Sequence, residues 1–271
     1  MGIALTNQQL QDGIARVSVA FDRIIDGEHQ AAGLVLGYQS MNEEYVMAQL
    51  GASDAAYSLS EFVPGMGWQP TTTAGSKANL EADRQYLIEV SVLGQRIRLD
   101  VDGVRIFEQI LRSPLKGKQI GLIASGQERI SFTGLDVRNE RPVVFVAMQF
   151  SEPFDTLYRE VIKPGVDKLD LQIIRMDELA APGIIFEDIK RSIAESKIVI
   201  AEITGPNPNV FYELGYAHAL NKPTILLAKK GGELPFDIRS YRVIFYDDTI
   251  GGKPAVERSL EKHLHAVLQD N

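Results

Sequence analysis

The chain has 271 residues, 45% of them hydrophobic and 24% charged, with a formal charge of −8 and no cysteine. That length accommodates one large or two ordinary domains, each able to bury a core. The acidic balance argues against a broad nucleic-acid or anionic-membrane surface, and the lack of cysteine excludes disulfides, thiolate metal sites and cysteine nucleophiles. No apolar run approaches the ~18–20 residues of a membrane span, and the N-terminus lacks a signal peptide's apolar core, so a cytoplasmic location is expected.

Residues 13–137 form a succession of short alternating runs punctuated by turns. Ala15–Phe21 alternates with period two, placing Val17, Val19 and Phe21 on one face, and Ala32–Tyr38 and Tyr45–Leu50 read as the next strands. Tyr86–Val92 and Arg96–Val101 flank a hairpin signal at Leu93-Gly-Gln95. Asp102-Gly103 is a stronger one, because both residues tolerate positive φ. Val104–Phe107, Gln119–Ala124, Ile130–Phe132 and Leu135–Val137 complete the set. Pro64–Pro70 reads as a loop, and its Trp68 as an aromatic tucked against the sandwich in preference to a sugar-stacking platform. Many short strands without helices imply an all-β antiparallel sandwich or jelly roll.

Four segments here, Tyr86-x-Ile-x-Val90, Gly94-Gln95, Val101-Asp-Gly-Val104 and Gln119-Ile-Gly-Leu122, carry a family likeness. Together they resemble the concanavalin A-like, laminin-G-like jelly rolls over residues 10–138. The resemblance implies a fold and leaves the ligand open between carbohydrate, protein and assembly.

At Asn139-Glu-Arg-Pro142 a short polar linker separates domains 1–138 and 139–271. Val143–Ala147 is a continuous apolar run, as for a strand buried on both faces. A helix over Phe154–Leu169 follows, with Pro164 near its end or kinking it, then a strand at Leu171–Ile174 and a helix at Ile184–Ser196. The strand Ile198–Ile203 leads to a helix with Asn209 as N-cap. Strands Thr224–Ala228 and Arg242–Tyr246 and a helix Ala255–Leu268 close the chain. This alternation implies α/β architecture with a parallel five-stranded sheet, Rossmann- or flavodoxin-like.

Polar residues cluster after the first three of these strands, at Met148–Glu152, Arg175–Glu178 and Thr204–Glu213. Loops after successive parallel strands share one rim, so the three are expected to converge on one pocket. Glu213 falls there in the first turn of its helix, where the dipole favours a carboxylate.

GxGxxG, GxxxxGK[ST] and G-x-S-x-G are absent, and His29, His218, His263 and His265 lack metal-ligand spacing. Acid remains: Asp177, Glu178, Glu187, Asp188, Glu202 and Glu213. Carboxylates suit glycosidic cleavage, where one captures an oxocarbenium-like centre and another manages protons, without metal or cofactor. Glu202 is read as fixing its loop through backbone N–H groups. Tyr212 is read as packed or bonded to the nucleophile, and His218 as a packing residue or a bridging hydrogen bond in preference to a general base.

Ala201-Glu-Ile-Thr204 and Pro208-Asn-Val-Phe-Tyr-Glu-Leu-Gly-Tyr-Ala217 resemble the nucleoside 2-deoxyribosyltransferase superfamily, including its deoxynucleoside-monophosphate N-hydrolases. Val144-Phe-Val-Ala-Met-Gln-Phe150, Leu234-Pro-Phe-Asp-Ile238 and Arg242-Val-Ile-Phe-Tyr246 are similar to a TIR-like branch of it, with Gln149 where that branch has proline. The resemblance spans residues 142–268. It implies Glu213 as nucleophile and Asp188 as second acid, with Met148, Gln149, Phe150, Asp177, Asn207, Asn209 and Tyr212 binding a nucleoside or nucleotide in a homo-oligomer. It also implies two alternatives: an NAD glycohydrolase acting in antiphage defence, with NAD as substrate, and a module that binds a nucleotide signal without turnover.

Overall fold

The computed structural model describes residues 2–25, 28–52, 54–178, 185–205, 207–238 and 240–269. The chain divides into two compact units, Met1–Leu111 with Leu115–Glu140, and Arg141–Asn271 with Arg112–Pro114. No helix of the described residues is long and apolar enough to cross a membrane.

The first unit contains β1 (Gly2–Gln9), β2 (Gly13–Phe21), β3 (Ala31–Tyr38), β4 (Tyr45–Leu50), β5 (Ala55–Val63), β6 (Gly67–Ser76), β7 (Gln85–Leu93), β8 (Arg96–Val101), β9 (Val104–Ile110), β10 (Gln119–Ser125) and β11 (Ile130–Asn139). They form a six-stranded sheet, β1-β10-β3-β4-β5-β6, and a five-stranded one, β11-β2-β7-β8-β9, both antiparallel. Val17, Val19 and Phe21 of β2 and Ile88 and Val90 of β7 share one core with Leu34 and Leu36 of β3. Burying these alternating positions drives the two sheets together. Asp102 and Gly103 both adopt positive φ, the backbone their hairpin requires.

Three strands were not anticipated. β1 is polar and largely exposed, so no alternation marks it. β5 and β6 are rich in Ser and Thr, and a register shift between Leu59 and Ser60 breaks their pattern. Trp68 therefore belongs to a strand and not to a loop. It sits across from Phe62, and its ring meets Phe62 and Tyr45 edge-on at 5.2 and 5.3 Å. Such contacts make Trp68 a packing residue. Trp68→Ala is expected to destabilise the sandwich by about 2 kcal/mol, below the ~3–5 of a fully buried aromatic. Urea unfolding followed by circular dichroism reads this, and an unchanged midpoint would remove Trp68 from the core.

The second unit runs β12 (Val143–Ala147), α1 (Phe154–Leu157), α2 (Lys163–Asp167), β13 (Gln172–Ile174), α3 (Ile185–Glu195), β14 (Ile198–Glu202), α4 (Pro208–Ala219), β15 (Thr224–Lys229), β16 (Val243–Tyr246) and α5 (Lys253–Gln269). The expected first residue of the α3 helix, Ile184, lies outside the described residues. A π-type turn over Tyr158–Ile162 joins α1 to α2 in one helix, with Lys163 N–H reaching back five residues to Tyr158. That wider turn lets Pro164, which lacks an N–H, sit inside a continuous helix.

All strand pairs in this unit are parallel, in the order β13-β12-β14-β15-β16. Val144 and Val146 pack with Tyr158, Val161, Val256 and Leu260 on one face. Phe145 and Ala147 pack with Ile193, Val210, Leu214 and Ala217 on the other. The chain steps from β12 outward to β13, then back across β12 to β14. Loops leaving β12 and β14 therefore diverge and open a crevice at the carboxyl ends of the strands.

Candidate active site

A cavity of about 820 Å³ lies at that crevice, lined by residues following β12, β13 and β14. Met148, Gln149 and Phe150 come from the first loop, Asp177 from the second, and Asn207, Asn209, Tyr212 and Glu213 from the third. Eight of the residues expected at the site are thus brought together. Asp188 is not among the lining residues; it stands in an ion pair with Arg191, one turn along α3, at 3.7 Å. Phe186 and Ile189 of α3 line the cavity instead.

Asn207, and not Asn209, caps α4. Its side chain accepts from Asn209 N–H at 3.0 Å and Val210 N–H at 3.4 Å. Pro208 then occupies the first helical position, where its fixed φ fits and its missing N–H is not needed. This shifts Glu213 from the first turn to the second, beyond the reach of the helix dipole.

Burial sets the chemistry of Glu213. The residue is 7% exposed, and among the described residues its carboxyl group has no hydrogen-bond partner. Desolvation alone pushes its pKa up to about 7. An acid with that value switches charge near neutrality, which suits a group that must alternate between forms.

Asp177 is held differently. Arg175, 8% exposed, donates to both its carboxylate oxygens at 2.7 and 2.6 Å and to Asp155 at 2.8 Å. Burial works against the guanidinium's charge, but these bonds outweigh it and hold its pKa above the ordinary arginine range. The same guanidinium stacks over the Tyr158 and Phe150 rings at 4.2 and 5.4 Å. Asp177 is thus held at the cavity by bonds to both of its carboxylate oxygens.

Glu202 does not line the cavity. It accepts from Thr204 N–H at 3.2 Å, from the Thr204 hydroxyl, and from Tyr246 Oη at 3.0 Å. Burial raises its pKa against those bonds, and the network ties the loop after β14 to β16. His218 stacks on Tyr241 at 4.4 Å and lies 3.3 Å from the Thr224 hydroxyl, and burial lowers its pKa. Tyr212 is neither packed in the core nor bonded to Glu213. It is 45% exposed, with its ring 5.1 Å from that of Phe186.

Sequence reading missed Phe186, Ile189, Met176 and Val210 in the lining. Phe186 had left a signal: Ile185, Ile189 and Ile193 define the apolar face of α3, and an aromatic beside that face calls for a separate role. Among the described residues no group of three or more His, Asp or Glu is placed to hold a metal ion.

No protein-family model matches the chain, and no curated protein matches it in sequence. Among solved structures it is similar to a carbohydrate-binding module from Bacillus subtilis, at 14% identity over 49% of this chain and 78% of that one, TM-score 0.42. Sheep galectin-11 is similar at 12% identity over 51% of this chain and 96% of that one, TM-score 0.39. A CMP N-glycosidase from Clostridium botulinum is similar at 20% identity over 44% of this chain and 96% of that one, TM-score 0.32. At such scores the likenesses carry no functional weight.

Glu213 also marks stability. The folded chain holds this proton up to about pH 7, whereas an unfolded glutamic acid loses it near 4.5. Raising the pH from 4.5 to 7 therefore removes stability, at most about 3 kcal/mol, and the deficit is constant above 7. Glu213→Gln is expected to melt higher than the wild type at pH 8 and equally at pH 4. Equal melting at both values would show that the carboxylate is solvated.

Proposed function

We propose that the second unit cleaves or transfers the N-glycosidic bond of a nucleoside, nucleotide or related N-riboside, with Glu213 as nucleophile. A buried carboxylate with no partner among the described residues, facing a cavity at the switch point of a parallel sheet, carries this reading. In it, Glu213 attacks the anomeric carbon while the carbon–nitrogen bond breaks and its electron pair leaves with the base. Water, or a second base, then attacks the same carbon and returns the carboxylate. Asp177, fixed by Arg175, accepts hydrogen bonds from sugar hydroxyls, with Gln149, Asn207 and Asn209 as further polar contacts. Met148, Phe150 and Tyr212 supply apolar surface for the base. Asp188, outside the lining, is assigned a lesser part in proton transfer. The oxocarbenium-like centre is met by the glutamate, so the reaction requires no metal or cofactor.

Glu213→Gln is expected to reduce base release by about 10³-fold or more with folding retained, and Asp188→Asn by less than about tenfold. Wild-type kcat/KM should rise with pH to a plateau above about 7, because the nucleophile is the ionised form. Chromatography of the released base reads both. A Glu213→Gln variant that keeps full turnover would overturn the assignment, and no base from any nucleoside, nucleotide or NAD would leave a binding module.

In the same reading the sandwich serves recognition or assembly, for carbohydrate or protein, in a cytoplasmic homo-oligomer. Exposed Phe150, Phe186 and Tyr212 offer apolar surface for a second copy of the chain to cover. Light scattering at assay concentrations is expected to give a dimer or larger; an active monomer would remove this element.

A further inference from the structure

The second unit's cavity is poorly equipped to bind a phosphate. Its lining contains the carboxylates Asp177 and Glu213 and no Lys, Arg or His among the described residues. Nearby cations are already engaged. Arg175 is shared between Asp177 and Asp155, Lys190 lies 2.8 Å from Glu187, and Arg191 faces Asp188.

Nor does the start of α4 offer free N–H groups. Pro208 has none, and those of Asn209 and Val210 are bonded to the Asn207 side chain. The usual anion seat at a helix N-terminus is occupied by the protein's own cap.

Apart from the Tyr212 hydroxyl, the described lining is short of a proton donor for a departing base. Asp177 has both carboxylate oxygens bonded to Arg175, Asp188 lies outside the lining, and His218 is turned to Thr224 and Tyr241. What the lining does offer is aromatic rings beside carboxylates: Tyr212, and Phe150 and Phe186, over which Arg175 and Lys190 already lie at 5.4 and 5.0 Å, so that a ligand cation is left Tyr212 and the opposite faces of the other two. Rings and carboxylates together favour a cation.

We infer that the substrate is an unphosphorylated N-riboside whose base carries a positive charge, such as an N-alkylated purine or pyridinium nucleoside. This rests on the glycosidic reading of the site. Such a base needs no general acid. When Glu213 bonds to the anomeric carbon, the electron pair of the broken bond neutralises the base nitrogen, and the base leaves as a neutral molecule. Water then attacks the anomeric carbon, the ester bond to Glu213 breaks, and one proton passes to solvent. Cationic riboside and water thus give sugar, neutral base and a proton.

The full chain should be assayed on nicotinamide riboside and 7-methylguanosine, on the 5′-monophosphate of each, on NAD and on guanosine. Base is read by chromatography and the proton by pH-stat. Expected is a kcat/KM for each cationic riboside at least about tenfold above its monophosphate, above NAD and above guanosine, with one proton released per nicotinamide from nicotinamide riboside. Equal or better use of a monophosphate or NAD overturns the inference while upholding the glycosidic reading. So does equal use of guanosine. If no compound is cleaved, the glycosidic reading falls. Thermal shifts of the wild-type chain with the same compounds then decide selectivity: a larger shift with the ribosides keeps the pocket assignment, and equal or smaller shifts end it.

Discussion

Glu213 is buried with no hydrogen-bond donor at its carboxyl group among the described residues, and the second unit is arranged around that strain. Other buried charges in the same unit are provided for. Arg175 has two aspartates, Glu202 has Thr204 and Tyr246, and Lys222 donates to the Ala194 and Ser196 carbonyls at 2.7 and 2.6 Å. A chain able to pair those three groups could pair a fourth. Leaving a carboxylate without a partner costs stability as soon as it ionises, and burial brings its change of charge near neutrality.

Two networks hold the cavity walls in place. The Arg175 bonds join the end of β13 to the helix after β12, fixing Asp177 on one side. The Glu202–Thr204–Tyr246 bonds fix the loop after β14, from which Asn207 starts α4 and delivers Glu213 to the other side. Between them the crevice follows from strand order, because the chain leaves β12 toward β13 and leaves β14 toward β15, in opposite directions. Both networks are made by the chain's own groups, which fixes the walls of the cavity.

Much of the fold was legible because burial has a period. Ala15–Phe21 alternates and became β2, and Val143–Ala147 is wholly apolar and became the doubly covered β12. The misses share a cause. β1, β5 and β6 are polar or irregular strands held by their neighbours' hydrogen bonds, and Trp68 gains its place from Phe62 and Tyr45, which lie elsewhere in the chain. The N-cap was placed two residues late because a Pro between two Asn residues admits either, and only the geometry of Asn207 decides it.

By itself, the sequence determined the two-unit organisation, the alternation of strands and helices in the second, and the candidate carboxylate at a strand-to-helix turn. These depend on local periodicity and on turn residues, which act over a few neighbours. Tertiary structure alone decided that Glu213 is buried without a partner among the described residues, that Asp177 is clamped by Arg175, and that Asp188 pairs with Arg191 outside the lining. It also decided that the rings of Phe186 and Tyr212 meet at the cavity. Solvation and pairing of a charge depend on groups brought near by the fold, and no spacing along the chain encodes which of them arrive.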